Sequence, residues 1–324
     1  METKVLVTGA GGFIGHHLVK YLKAKGYWVR GVDIKQPEFE ESDADEFKIL
    51  DLRQLPACLI AARGMEDVYT FAADMGGIGY ITSNHADITR NNTLINIYML
   101  EAARINDVKR YLYSSSACVY PQYLQKDAGV VALHEDTAWP ADPEPGYGLE
   151  KLYTEKLCEY YRNDHGIDTH VVRFHNVFGP LGTYDGGKEK APAALCRKIA
   201  LTPDGGTIEV WGDGEQTRSF MYIDDCLKGV DRLLHSDFAG PLNLGREELV
   251  TINDMIDMIA EIAGKTIHKK HDLSKPQGVR GRNSDNDLIR EVMEWAPQIT
   301  LRDGMEKLYP WIKQQLAARG DTVS

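Results

Sequence analysis

The chain opens with a glycine-rich turn between a short apolar run and a longer amphipathic stretch. Lys4 to Thr8 is typical of a buried strand, and Gly12 to Gly26 has helical character. A second apolar run, Tyr27 to Asp33, follows the helix directly. A strand, a glycine turn, a helix and a second strand predict a βαβ unit, in which the two strands are parallel.

The same alternation continues through the first half of the chain. Further strands are predicted at Phe47 to Asp51, Asp67 to Ala73, Arg110 to Ser114 and Thr169 to Phe174, and further helices at Asn84 to Asn106 and Gly148 to Asn163. Strands that alternate with helices predict an α/β fold, here a Rossmann-type doubly wound parallel sheet with helices on both faces.

The opening turn also has the features of a dinucleotide site. Gly9, Gly12 and Gly15 allow a tight turn and a close approach of a pyrophosphate to the helix N-terminus. Asp33, at the end of the second strand, is suited to accept hydrogen bonds from ribose hydroxyls and would repel a 2′-phosphate, which favours NAD over NADP. Asp51 is expected beside the adenine, with a cap on the next helix as the alternative. The predicted cofactor contacts are Gly9, Gly12, Phe13, Ile14, Gly15, Asp33, Asp51, Leu52, Ala72, Tyr147 and Lys151.

The pattern changes after Phe178, where glycines and prolines interrupt the alternation. We expect residues 1–178 to form the NAD-binding domain, with a return segment at about 221–250 that includes a strand at Leu242 to Leu244. Residues 179–220 and 251–324 are expected to form a smaller C-terminal substrate-binding domain. Trp211 is expected to pack within this domain, with stacking on guanine as the alternative.

Composition excludes several classes of protein. The net charge of −11 disfavours nucleic acid as a partner. No apolar run approaches the length of about 20 residues that a membrane span needs, and the N-terminus lacks a signal-peptide pattern. The 5 cysteines are scattered without a CxxC pair, which disfavours a metal site and disulfides. We therefore expect a cytoplasmic protein with no metal and no membrane partner.

A tyrosine and a lysine four positions apart suggest redox chemistry on a hydroxyl. Tyr147 and Lys151 share one helix face, so the ammonium is predicted to lower the phenol pKa and to hold the cofactor ribose. Tyr147 can then take the proton of a sugar hydroxyl. Ser116, in the serine run after the fifth strand, is placed to polarise the same oxygen.

The glycine turn, the strand-end aspartate, the serine run and the Tyr-Lys pair occur in an order that resembles the extended short-chain dehydrogenase/reductase superfamily, in particular its enzymes that modify nucleotide sugars. Further segments resemble the GDP-mannose 3,5-epimerase family within it. These segments are residues 72–79, 114–121, 186–194, 211–214, 216–220 and 279–286.

The resemblance implies NAD-dependent epimerisation of GDP-mannose at C3 and C5 through a 4-keto intermediate. The product is GDP-L-galactose, with GDP-L-gulose when only C5 inverts. Tyr147 is then the base at C4, and Cys118 and Lys190 are the acid/base pair for inversion. From the residues alone, each position has an alternative without a catalytic role. Cys118 is then a small buried residue, and Lys190 is a solvated lysine.

A diphosphate needs cations and amide donors, and motif matching supplies candidates for both. We expect Gly76 and Ser116 to approach the hexose. Arg282 has the alternative of pairing with Asp285 or Asp287, and Lys198 that of a solvated helix face. The predicted substrate contacts are Gly76, Ser116, Asn176, Glu189, Lys190, Lys198, Gln216, Arg218 and Arg282.

Two other functions remain open from the residues. A nucleotide-sugar 4-epimerase would need Tyr147 but neither Cys118 nor Lys190, and a non-catalytic NAD-binding scaffold would need none of the three. We also expect a homodimer, for which the helix from Asn84 to Asn106 is a candidate seam.

Overall fold

The structure is a computed structural model that describes residues 3–127, 129, 132–275 and 278–323. Its strands, in chain order, are β1 (Lys4–Thr8), β2 (Trp28–Asp33), β3 (Glu46–Ile49), β4 (Asp67–Thr70), β5 (Arg110–Ser116), β6 (Asp168–Phe174), β7 (Val177–Phe178), β8 (Thr207–Trp211), β9 (Thr217–Arg218), β10 (Met221–Tyr222), β11 (Leu242–Leu244), β12 (Val250–Thr251), β13 (His268–Asp272) and β14 (Gly281–Arg282).

The helices alternate with these strands through most of the chain. They are α1 (Phe13–Ala24), α2 (Leu55–Ala62), α3 (Ile78–Ile81), α4 (His85–Ile105), α5 (Tyr147–His165), α6 (Ala191–Leu201), α7 (Ile223–Leu234), α8 (Ile252–Ala263), α9 (Asp287–Met293) and α10 (Leu301–Arg319). Short 3-10 turns are formed by Ala117–Val119, Gln122–Gln125 and Glu135–Ala138.

The main sheet has seven strands in the order β11-β6-β5-β4-β1-β2-β3, and every neighbouring pair is parallel. The predicted doubly wound parallel sheet is therefore confirmed. The strand order reverses between β1 and β4, and this reversal opens a crevice at the carboxyl ends of the strands, where such sheets bind ligands.

The predicted strands and helices of the first half are present with ends shifted by a few residues, and β11 lies where the return strand was predicted, beside β6 at the sheet edge. The prediction gave no bounds for α2 and α7. The apolar residues of α7 are buried against the sheet, as those of α1 are. Among the described residues, no helix is long and apolar enough to cross a membrane.

A buried ionic cluster ties α7 to the end of the sheet opposite the crevice. Asp231 is 6% exposed, accepts a hydrogen bond from Lys25 and lies 3.3 Å from Nδ1 of His235. Burial acts to raise the pKa of Asp231, but the hydrogen bonds from His235 and Lys25 outweigh it and lower the pKa to about 2. The ionised carboxylate therefore stabilises the fold.

We expect Asp231→Asn to lower the free energy of unfolding by about 2 kcal/mol at pH 7. Because the folded pKa is depressed, this contribution is complete above the unfolded pKa of 3.8 and is lost as the pH falls towards 2. Urea unfolding at pH 7 and pH 3 should show the deficit of the variant falling to about half. A deficit of the same size at both pH values would contradict the assignment.

Candidate active site

The turn between β1 and α1 brings backbone atoms closer than side chains would permit. Gly9 has φ +70°, and a Cβ there would lie 2.6 Å from the carbonyl carbon of Phe71. A Cβ on Gly15 would overlap the carbonyl oxygen of Gly9. Glycine is therefore required at both positions if the helix is to begin directly at the sheet edge.

The N-terminus of α1 is left open for an anion. Its N-cap is Gly12, which supplies no side-chain cap, so the first backbone N–H groups face the crevice. Asp33 lies beside the turn, where its Oδ2 accepts a hydrogen bond from the Gly11 amide at 2.9 Å. Phe13 lines the cleft at this turn. An uncapped helix start with a strand-end carboxylate fits a dinucleotide pyrophosphate and ribose.

Three further residues were predicted to contact the cofactor, and the structure shows what each of them binds or packs against. Asp51 binds its neighbour Arg53 through both carboxylate oxygens, at 2.8 Å each, and does not cap α2. Leu52 is 3% exposed in the core beside α2. The Ala72 amide donates to the Thr8 hydroxyl at 3.2 Å, which fixes the chain just after β4.

Tyr147 and Lys151 lie in the first turns of α5 and are almost fully buried. The ammonium of Lys151 donates to the carbonyl of Ser114 at 2.9 Å and lies 5.5 Å from the centre of the Tyr147 ring. Burial raises the pKa of Tyr147 well above its ordinary value, and a hydrogen bond with Ser116 opposes this. The predicted lowering of this pKa by Lys151 is not found in the structure, because the ammonium contacts the carbonyl instead of the phenol oxygen.

Cys118 lies in the 3-10 turn that follows β5. Ser116 caps this turn by accepting a hydrogen bond from the Cys118 amide at 3.2 Å. The thiol is partly exposed, and the guanidinium of Arg282 lies 3.5 Å from its sulfur. A Cβ on Gly148 would overlap the carbonyl oxygen of Cys118, so α5 packs directly on the turn and brings Tyr147 to the thiol.

Lys190 is the N-cap residue of α6, reached through a loop that contains Gly186 and Gly187. The residue is exposed to solvent, and partial desolvation of its ammonium lowers the pKa of Lys190. The Cys118 thiol acts in the opposite direction on the same pKa. The two predicted inversion residues are therefore electrostatic neighbours in one cleft.

Two arginines face the same cleft from adjacent strands. Arg218 on β9 and Arg282 on β14 are paired in register. Burial and the neighbouring Arg282 guanidinium lower the pKa of Arg218. Arg282 donates to Gln125 and to the Cys118 sulfur, and not to Asp285 or Asp287. This concentration of positive charge beside the thiol fits an anionic ligand.

The remaining predicted substrate residues surround this cleft or make structural contacts. Asn176 has φ +38° and donates to the Ser219 carbonyl at 3.0 Å. Gln216 donates to the Trp211 carbonyl at 3.2 Å, and its buried Oε1 accepts no hydrogen bond from the described residues. Lys198 donates to the Glu209 carbonyl at 2.9 Å, so it is not the fully solvated lysine of the alternative.

The loop that carries Gly76 meets the loop that carries Lys190. The backbone of Gly77 approaches the carbonyl of Glu189, and Lys188 lies over the ring of Tyr80 at 3.9 Å. The prediction for Trp211 is wrong. Its side chain is 43% exposed, because the indole lies on the outward face of β8 and donates to Glu209.

Comparison with known proteins adds independent findings. Residues 5–245 match the NAD dependent epimerase/dehydratase family. The chain is 49% identical to GDP-mannose 3,5-epimerase of Arabidopsis thaliana over 99% of its own length and 86% of that protein. It is 50% identical to GDP-mannose 3,5-epimerase 1 of Oryza sativa subsp. japonica over 97% and 83%. The chain belongs to the NAD dependent epimerase/dehydratase family.

Solved structures agree with the fold. UDP-glucose 4-epimerase of Thermotoga maritima superposes with a TM-score of 0.85 over 97% of this chain and 100% of its own, at 23% identity. Membership of the epimerase/dehydratase family confirms the predicted NAD dependence, and the two plant relatives confirm the resemblance noted in the sequence.

Two residues of the site were not predicted. Gln125 orients Arg282 from a 3-10 turn for which the sequence gives no signal. Glu150 is buried beside Lys151 inside the Tyr-Lys motif. The position of Glu150 beside Lys151, on the helix face that was expected to be buried, was the available signal. Carboxyl groups are rarely buried unless they are paired, so this position indicated a partner.

We expect Gly148→Ala to lower the free energy of unfolding by about 1 to 3 kcal/mol, because the new methyl group must push α5 away from the Cys118 carbonyl. Gly129→Ala is the matched control, since a Cβ on Gly129 meets no atom of the described residues within 4 Å. Urea unfolding compares the two variants. Equal stability would contradict the close approach of α5 to the Cys118 turn.

Proposed function

We propose that the chain epimerises GDP-mannose at C3 and C5 through a transient 4-keto sugar. The product is GDP-L-galactose, with GDP-L-gulose when C5 alone inverts. The observation that carries the proposal is that Tyr147 and Lys190 both lie close to Cys118, in a chain about half identical to two relatives that bear this activity in their names.

In this proposal the turn of Gly9, Gly12 and Gly15 holds the pyrophosphate of NAD, and Asp33 holds the adenosine ribose. The side of the site that holds the adenosine of NAD is assigned five further residues: Phe13, Ile14, Asp51, Leu52 and Ala72. Bound NAD supplies the acceptor for the hydride of C4 and returns that hydride at the end. Lys151, which is 2% exposed, is assigned to the second ribose through its ammonium.

Tyr147 takes the proton of the C4 hydroxyl, and Ser116 orients the same oxygen. The raised pKa of Tyr147 in the free chain favours the phenol. To act as a base, Tyr147 would therefore need further positive charge beside its oxygen, which the nicotinamide of NAD would supply when bound. The same phenol returns the proton when the C4 ketone is reduced.

Once C4 is a ketone, the protons on C3 and C5 become acidic, and inversion needs one group on each face of the ring. Cys118 and Lys190 are assigned these two roles. The lowered pKa of Lys190 makes its neutral, basic form more accessible near neutral pH than for an ordinary lysine. Arg282 contacts the sulfur of Cys118, and α5 packs on the Cys118 carbonyl.

Arg218 and Arg282 are assigned to the diphosphate, because two adjacent guanidiniums in a partly buried cleft are stabilised by an anion. Asn176, Lys198 and Gln216 complete this side of the ligand. Gly76 and Glu189 are assigned to the hexose, where their two loops meet.

The organisation of the chain is part of the proposal. Residues 1–178 and the return segment at about 221–250 form the NAD-binding domain, and residues 179–220 and 251–324 form the substrate-binding domain. A cytoplasmic homodimer is proposed, with α5 at the seam beside α4. Support comes from three side chains on α5, each at least 50% exposed: Leu149, Tyr153 and Tyr160.

Incubation with GDP-mannose and NAD in D2O tests the reaction. The wild type should place deuterium at C3 and C5 and yield a galacto-configured sugar, as read by NMR. Deuterium at C5 alone would identify a gulose-forming enzyme. NAD binding without exchange on any GDP-sugar would instead support a non-catalytic scaffold.

Substitution tests the two inversion residues. Cys118→Ala and Lys190→Ala should each lower exchange by about 100-fold or more, the effect of removing a positioned acid or base, while NAD affinity stays unchanged. Lys188→Ala, in the same loop as Lys190, controls for general disturbance. Normal exchange in both alanine variants would show that the assignment of Cys118 and Lys190 as the acid/base pair is wrong.

A further inference from the structure

Glu150 is a buried carboxyl that the proposed reaction does not use. It is 2% exposed, and its Oε1 lies 4.0 Å from the ammonium of Lys151. Its other contacts come from α4, where Asn92 donates to Oε1 at 2.9 Å and Asn96 donates to Oε2 at 3.0 Å. A carboxyl buried this deeply is stable only if it is paired and hydrogen-bonded.

The orientations of both asparagines are fixed by other contacts. The Oδ1 of Asn92 accepts a hydrogen bond from the Asp74 amide at 2.6 Å, so its Nδ2 must face Glu150. The Thr154 hydroxyl donates to the Glu150 carbonyl at 2.8 Å and therefore accepts from the Nδ2 of Asn96. Both carboxylate oxygens consequently accept N–H groups, which is the pattern of an ionised acid.

We propose that Glu150 is a positioning residue that keeps Lys151 protonated and in place for the redox step at C4. This inference rests on the proposed function, since it takes Lys151 as part of that site. The pair is a single ammonium and a single carboxylate in a dry region, so each stabilises the charged form of the other.

Other groups that face Lys151 do not replace Glu150. Glu155 is paired with Arg173 at 2.7 Å, so its charge is already compensated. Burial raises the pKa of the remaining phenols and of the Cys158 thiol well above neutral, so they carry no charge. The titratable groups around the ammonium are Tyr147, Glu150, Glu155 and Cys158 on α5, Tyr113 on β5 and Cys118 in its turn.

The direction of the effect follows from the surroundings of Lys151. Desolvation lowers the pKa of Lys151, and the charge of Glu150 opposes that lowering. Burial raises the pKa of Glu150, and the charge of Lys151 and the hydrogen bonds from Asn92 and Asn96 oppose that rise. The side chain introduced by Glu150→Gln has nearly the same shape as the glutamate but no charge. Its NH2 group would face the NH2 group of Asn92 or Asn96, so one hydrogen bond is lost. Lys151 in this variant should lose its proton at a lower pH, by about one to three units.

The first test uses the protein without substrate and compares melting temperatures across pH. In Glu150→Gln the folded protein loses the Lys151 proton at a lower pH than the unfolded chain does. The free energy of unfolding of this variant therefore rises with pH relative to that of the wild type. The deficit in melting temperature should therefore shrink between about pH 7 and pH 10. A deficit that stays constant would overturn the proposal and leave Glu150 with a packing role.

Glu144→Gln is the matched control. The Glu144 carboxyl lies just before the same helix and accepts from the Gly148 amide at 3.2 Å, and among the described residues no hydrogen bond or ion pair joins it to Lys151. Its deficit should stay constant over the same pH range. If the deficit in melting temperature shrank equally in both variants, the proposal would also be overturned, because the effect would then not depend on Glu150.

The second test is the pH profile of C4 oxidation, followed as enzyme-bound NADH with GDP-mannose. The alkaline limb should move to lower pH in Glu150→Gln by about one to three units, and stay in place in Glu144→Gln. A wild type that does not turn over GDP-mannose would contradict the proposed function, while the melting experiment would still decide the role of Glu150.

If Glu150→Gln does not fold, NMR of the wild type labelled with 13C at the lysine ε carbon decides the question. Lys151→Met identifies the Lys151 signal by its loss. The signal should have the shift of a protonated amine at neutral pH. The shift of a neutral amine there would overturn the proposal.

Discussion

The site depends on the contact between the start of α5 and the turn after β5. A residue larger than glycine at position 148 would overlap the carbonyl of Cys118, and the Glu144 amide donates to that same carbonyl at 3.0 Å. Tyr147 belongs to the helix and Cys118 to the turn, so the contact fixes the distance between the two. The chemistry at C4 and the chemistry at its neighbouring carbons can therefore share one sugar.

The same packing gathers positive charge in the site. The chain carries a net charge of −11, yet the cleft gathers Lys151, Lys190, Arg218 and Arg282. Burial lowers the pKa of Lys151, Lys190 and Arg218, which means that the protein holds these charges at a cost in free energy. A bound nucleotide sugar, with two phosphates, would remove much of that cost. Glu150 does the same for Lys151 from inside the protein.

The sequence predicted the parallel sheet and the glycine turn because both rest on local patterns, namely β-branched runs and glycines at fixed positions. It predicted Cys118 and Lys190 only through a family resemblance, because a lone cysteine and a loop lysine have no local signature. The contact from Arg282 to Cys118 joins residues 164 positions apart, and no local pattern predicts it. Trp211 was placed wrongly because its strand alternates between buried and exposed positions, and the tryptophan falls on the exposed side.

A crystal structure with NAD and GDP-mannose bound tests the central claim most directly. The account predicts that the C4 hydroxyl lies within hydrogen-bond distance of Tyr147, and that Cys118 and Lys190 lie on opposite faces of the hexose beside C3 and C5. A hexose with both groups on the same face, or with C4 remote from Tyr147, would contradict it.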